Sequence, residues 1–137
     1  MANEVLVAKV KQIVGLAKAG NTDAAHDGYR ELFSSAEFLT YRPEDQRQVL
    51  KLLILQKRSG APPESLKAAM QSALVPLTEL VSMHGDAGDF EMLGLCHLMN
   101  GNEAGAASLF REGLRIERDA NPQSDLCGRL MTRISAL

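Results

Sequence analysis

Three glycines, Gly20, Gly60 and Gly101, punctuate the chain at intervals of 40 and 41 residues. Each closes an apolar-periodic stretch and is followed by a helix-starting signal, in the strings LAKAGNTDAA, LQKRSGAPPES and HLMNGNEAGAA. Glycine stops a helix readily because it enters the left-handed region without a Cβ penalty. Recurrence at this period predicts stacked helical hairpins, none of which can bury its apolar face alone. Such arrays present extended surfaces rather than enclosed pockets, so the expected job is binding.

The segments between the glycines read as helices. Val5, Val7, Val10, Ile13, Val14 and Leu16 give a stripe over about Glu4 to Ala19. Asn21 or Thr22 can cap a second helix through Ala25, Tyr29, Leu32 and Phe33. Pro43, Glu44 and Asp45 suit the first turn of a third, which is expected to run to Gly60. Pro62 and Pro63 open a fourth, and Pro76 should kink or split it before LTELVSM. Gly85 and Gly88 break the chain, after which Phe90 to Met99 makes a fifth helix. A sixth follows an Asn102 cap, and Asn121-Pro122 opens a seventh with Leu126, Leu130, Ile134 and Leu137 on one face. Strand-type alternation persists nowhere. The fold expected is all-α.

Composition narrows the function classes. With 137 residues, 45% apolar and 23% charged, the chain reads as one soluble domain spanning residues 1–137. Tryptophan is absent and aromatics are 4%, so aliphatic side chains and Met should fill most of the core. A net charge of -2 and a pI near 5.9 argue against a general nucleic-acid binder. The start, MANEVLVAKVKQ, lacks a signal peptide's basic-then-apolar order, and the apolar run Leu52 to Leu55 is far too short for a membrane span. Cys96 and Cys127 have no metal-type or redox spacing, which fits reduced, buried thiols and a cytoplasmic protein.

The segment Phe90 to Pro122 resembles a tetratricopeptide repeat. Phe90, Leu93-Gly94 and His97 occupy the first-helix positions, followed by Gly101 in the turn, then Ala106, Phe110 and Gly113 on the second helix. Gly94, Ala106 and Gly113 leave room where helices cross, while Phe90, Leu93 and Phe110 fill the space between them. Pro122 stands about one turn late, so the second helix should be longer than in a 34-residue repeat. Around Gly20, Ala25 and Tyr29 fit the pattern, but Ile13 stands where the packing glycine belongs. Around Gly60, Leu53 replaces that glycine. The resemblance implies a right-handed α-solenoid of three hairpins, over about residues 4–40, 43–83 and 89–120, with a capping helix at about 122–136.

It also implies a concave groove lined by the first helix of each pair. The turn-glycine register places Val7, Val10, Lys11, Val14 and Lys18 there from the first unit. Arg47, Leu50, Lys51, Ile54, Lys57 and Arg58 come from the second, and Glu91, Met92, Leu95, Leu98 and Met99 from the third. An apolar floor with this many cations suits another protein's segment carrying apolar anchors and acidic residues. Some family members grip a C-terminal carboxylate with Lys and Asn; Val10 and Val14 stand at those positions, so that activity is not expected.

Catalytic signals are lacking. Cys96 and His97 are neighbours, and adjacent helical residues point about 100° apart, so they do not converge on one metal ion. No phosphate-binding loop, dinucleotide glycine pattern, HExxH motif or nucleophile elbow occurs. The expectation is a non-enzymatic adaptor or small chaperone, without metal or cofactor. Two alternatives stay open: a self-assembly module that dimerises through the valine-rich first helix, and a small bacterial secretion-system chaperone, which this plan also resembles.

Overall fold

The computed structural model describes residues 3–137, and among these every regular element is a helix. The elements are α1 (Glu4–Lys18), α2 (Thr22–Ser34), a 3-10 turn (Ala36–Thr40), α3 (Pro43–Ile54), α4 (Glu64–Ser72), α5 (Leu74–Met83), α6 (Ala87–Met99), α7 (Glu103–Ala120) and α8 (Asp125–Ser135). The chain divides into two compact units, one ending at Pro76 and the other spanning Leu77–Leu137.

In the first unit, Asn3 caps α1: its side-chain oxygen accepts from the Val5 and Leu6 amides at 2.9 and 3.1 Å. Gly20 then takes a φ of +86° and turns the chain back, so that α2 packs on α1. At their contact a Cβ on Gly28 would stand 2.8 Å from Ile13 Cγ1. The close-approach glycine of this hairpin is therefore on α2, opposite the isoleucine that occupies the expected position on α1. Helix α4 packs along α2. Four of the chain's six aromatic rings form a ladder, Tyr29–Phe33–Phe38–Tyr41, with successive centroids 5.8, 5.2 and 5.9 Å apart.

Helix α3 starts on Pro43 as expected but ends at Ile54, well short of Gly60. In a continued helix the Leu53 carbonyl would accept from the Lys57 amide. Here the Arg58 guanidinium folds back, donating to the Leu53 carbonyl and, at 3.2 Å, to the Gln56 carbonyl. The fourth helix is split at Ala73 into α4 and α5. Pro76, in the first turn of α5, cannot donate to the Ser72 carbonyl, and the ladder breaks at that point.

In the second unit, α6 and α7 form a hairpin about Gly101, whose φ is +83°. A Cβ on Gly94 would meet Phe110 Cε1 at 2.5 Å, and one on Gly113 would meet Phe90 Cβ at 3.0 Å. Ala106 and Phe110 are fully buried. Helix α6 begins three residues before Phe90 and includes Gly88, whose φ is negative, in its first turn. Helix α7 runs 18 residues, the lengthening that the late Pro122 predicts. Helix α8 starts at Asp125 rather than at Pro122, because Ser124 Oγ accepts from the Cys127 amide at 3.2 Å and makes the cap.

Candidate functional site

Apart from Val75 on α5, the large exposed apolar side chains of the first unit lie on α1 and α3. Leu6, Val7 and Val10 of α1 face Val49 and Leu52 of α3 across an open cleft of about 160 Å³, with Lys11, Asp45 and Gln48 at its edges. Leu6 and Val49 are buried and form its base, whereas Val7 is 38% and Leu52 47% exposed. Val5, 55% exposed, lies two residues before Val7 on α1. Asp45 is already engaged, accepting from Arg42 at 3.2 and 3.4 Å. Lys11 is solvent-exposed. The cleft therefore offers branched apolar side chains and a cation.

The groove residues expected from sequence separate into three environments. On α1, Val7, Val10 and Lys11 line the cleft, while Val14 is half-buried and Lys18 exposed one turn or more further along. On α3, Arg47 is half-buried and Lys51 exposed, but Ile54 belongs to the core at 4% exposure. Lys57 and Arg58 follow the end of α3, so spacing from Lys51 no longer places them on a helix face. Arg58 is committed to the turn described above, and burial lowers its pKa.

Leu50 of α3 is also core, and the other expected residues lie on α6, where Met92 is buried and Leu98 half-buried. Glu91 is buried, with 1% exposure, and its carboxylate accepts from Arg129 Nε and Nη2, both at 3.1 Å, and from Arg133 Nε at 2.9 Å. Burial pushes the Glu91 carboxyl up, but the hydrogen bonds and charges of the two arginines outweigh it and hold the pKa below the ordinary glutamate value. Leu95 is half-buried and packs, with Leu98, Leu114, Leu126 and Ile134, against the cluster of Ala106, Phe110 and Leu130. Met99 is half-buried at the end of α6. Sequence spacing along α6 carries no sign of the Glu91 clamp, because its partners lie 38 and 42 residues away.

A second polar cluster joins α2 to α4. Ser65 Oγ donates to Asp23 Oδ1 at 2.7 Å and lies 2.9 Å from His26 Nδ1. With the hydroxyl proton given to Asp23, the imidazole donates from Nδ1. Burial and the charge of Arg58 lower the His26 pKa, and Asp23 and Asp27 pull the other way. In this order of donors the carboxylate, not the imidazole, receives the serine proton, and the chain of bonds ties two helix N-terminal turns together.

Both cysteines are free and buried. Burial pushes the Cys96 thiol up to about 12, far from the thiolate needed for nucleophilic work near neutrality. His97 Nδ1 lies 3.3 Å from Asn102 Nδ2 at the α6–α7 turn. Among the described residues no group of three or more His, Cys, Asp or Glu side chains is placed to hold a metal ion, and no helix is long and apolar enough to cross a membrane. The chain matches no protein-family profile, no curated protein and no solved structure.

Proposed function

We propose that the chain is a tetratricopeptide-like, non-enzymatic interaction module of the cytoplasm, an adaptor or small chaperone that takes a partner's peptide segment in the α1–α3 cleft. The observation that carries this reading is the exposure of Val7 and Leu52 on either side of a cleft with an apolar base. Contiguous apolar surface of this kind in a water-soluble fold is a feature of binding sites. Lys11 at the edge, with Asp45 neutralised by Arg42, favours a segment that combines apolar anchors with acidic flanks.

Peptide-library selection against the intact chain, followed by amide shift mapping, tests this. Selected peptides should pair apolar anchors with acidic residues and shift α1 and α3 amides. Lys11→Glu should weaken them most at low salt, where charges are least screened, and Leu52→Ala should weaken them without salt dependence. Selected peptides that are basic, or that shift only other helices, would sink the reading.

The exposed Val5 and Val7 favour one second reading, in which the occupant is α1 of another copy. Sedimentation then shows dimers that Val7→Asp dissolves, and library peptides compete with dimerisation.

A further inference from the structure

Helix α8 has only 11 residues, and isolated helices of that length are marginal in water. Gly128 is the fourth residue of the helix, although a Cβ there would meet nothing within 4 Å. Packing therefore gives no reason for glycine at this position, and glycine weakens a helix relative to alanine. The helix persists because of what it sits on. Leu126, Leu130 and Ile134 fall at spacings of four residues and seat against Leu95, Leu98, Phe110 and Leu114 of the α6–α7 hairpin. Arg129 and Arg133, one turn apart, close on the buried Glu91.

We propose that the α6–α7 face beneath α8 is a recognition site for a partner's amphipathic helix carrying two arginines one turn apart, and that α8 is its built-in, displaceable occupant. The seat itself specifies the chemistry. Glu91 is acidic and, without arginines over it, would be a desolvated charge with no partner, a state that strongly disfavours apolar or acidic helices. The apolar residues around it read a four-residue repeat, the i, i+4, i+8 face by which a helix lies in a groove. Intramolecular attachment gives α8 a high effective concentration, which the Gly128 defect offsets, so that a better helix with the same arginine pair displaces it. This site is on the second unit and stands independently of the α1–α3 cleft.

The test uses the full chain carrying Arg129→Ala and Arg133→Ala, which vacates Glu91, and a fluorescein-labelled peptide of residues 122–137 as probe. Fluorescence anisotropy should show the peptide binding this variant at least tenfold more tightly than the unaltered chain. Adding Glu91→Gln to the variant, or replacing both arginines in the peptide, should remove the binding. Equal binding with or without Glu91, or none to a variant whose circular dichroism is still helical, would overturn the proposal.

Should the double variant fail to fold, hydrogen exchange on the unaltered chain decides. The α8 amides should exchange through a smaller opening than those of α6 and α7, and Gly128→Ala should slow α8 selectively. Protection of α8 equal to that of α6 and α7 would overturn the idea. Dimers that grow with concentration, without uptake of free peptide, would also overturn it, in favour of α8 exchange between copies.

Discussion

Close helix packing at two crossings in this protein depends on a missing Cβ. On α6 the small partner is Gly94 and the large one Phe110; in the first unit the large partner is Ile13 on α1 and the small one Gly28 on α2. What the packing requires is one small residue at the crossing, on either helix. Gly28 thereby leaves room for Ile13 on α1. Gly94→Leu should destabilise the second unit by about 1–3 kcal/mol, the usual cost of overpacking. Gly28→Ala forces Ile13 to move and should also destabilise, and Ile13→Ala should restore much of the loss in the double variant. Thermal melts of the four chains check this, and a Gly94→Leu protein melting at or above the parent would refute the α6–α7 contact. Gly94 and Gly113 were legible in the sequence because they recur with Ala106 in a known pattern of small residues. Gly28 was not, since its role depends on which residue faces it across the turn.

At the scale of elements, boundaries set by a residue within the same turn were the easier ones to read, although α6 and α8 start three residues away from Phe90 and Pro122. Pro43, Pro63 and Asn102 act locally, so their positions announce the first turns of α3, α4 and α7. The end of α3 depends instead on Arg58 reaching back over its last turn, and nothing in VLKLLILQKRSG distinguishes that residue from a helical one. The α2–α4 junction is similar, since Asp23 and Ser65 meet across 42 residues. This junction makes stability depend on pH. The His26 pKa is lowered in the fold, so the unfolded chain binds the proton first as pH falls. Stability is complete above the unfolded value near 6.5 and declines as pH drops through it toward the folded value. The melting temperature should therefore fall more steeply below about pH 6.5 in the parent than in His26→Gln. Identical profiles for the two would show that His26 is not the group responsible.

For the molecule as a whole, the all-helical class followed from the 3.6-residue period of the apolar residues. The distribution of surface and core did not, because it depends on contacts between distant segments. Glu91 looked like a groove charge until Arg129 and Arg133 are seen to bury it, and Ile54 looked like a groove anchor although it faces inward. Both thiols are buried in the second unit, so a disulfide-exchange reagent should leave Cys96 and Cys127 unmodified in the native chain and label both in denaturant. Rapid native labelling would mean that the α6–α8 core opens far more readily than its packing suggests. The aromatic ladder has a counterpart consequence. With no tryptophan in the chain and both tyrosines in that ladder, tyrosine emission arises from the first unit alone, while thiol reactivity belongs to the second. Tyrosine emission thus reports from beside the α1–α3 cleft and thiol protection from α6 and α8, and a single titration with each signal read in turn tells which surface a ligand has found.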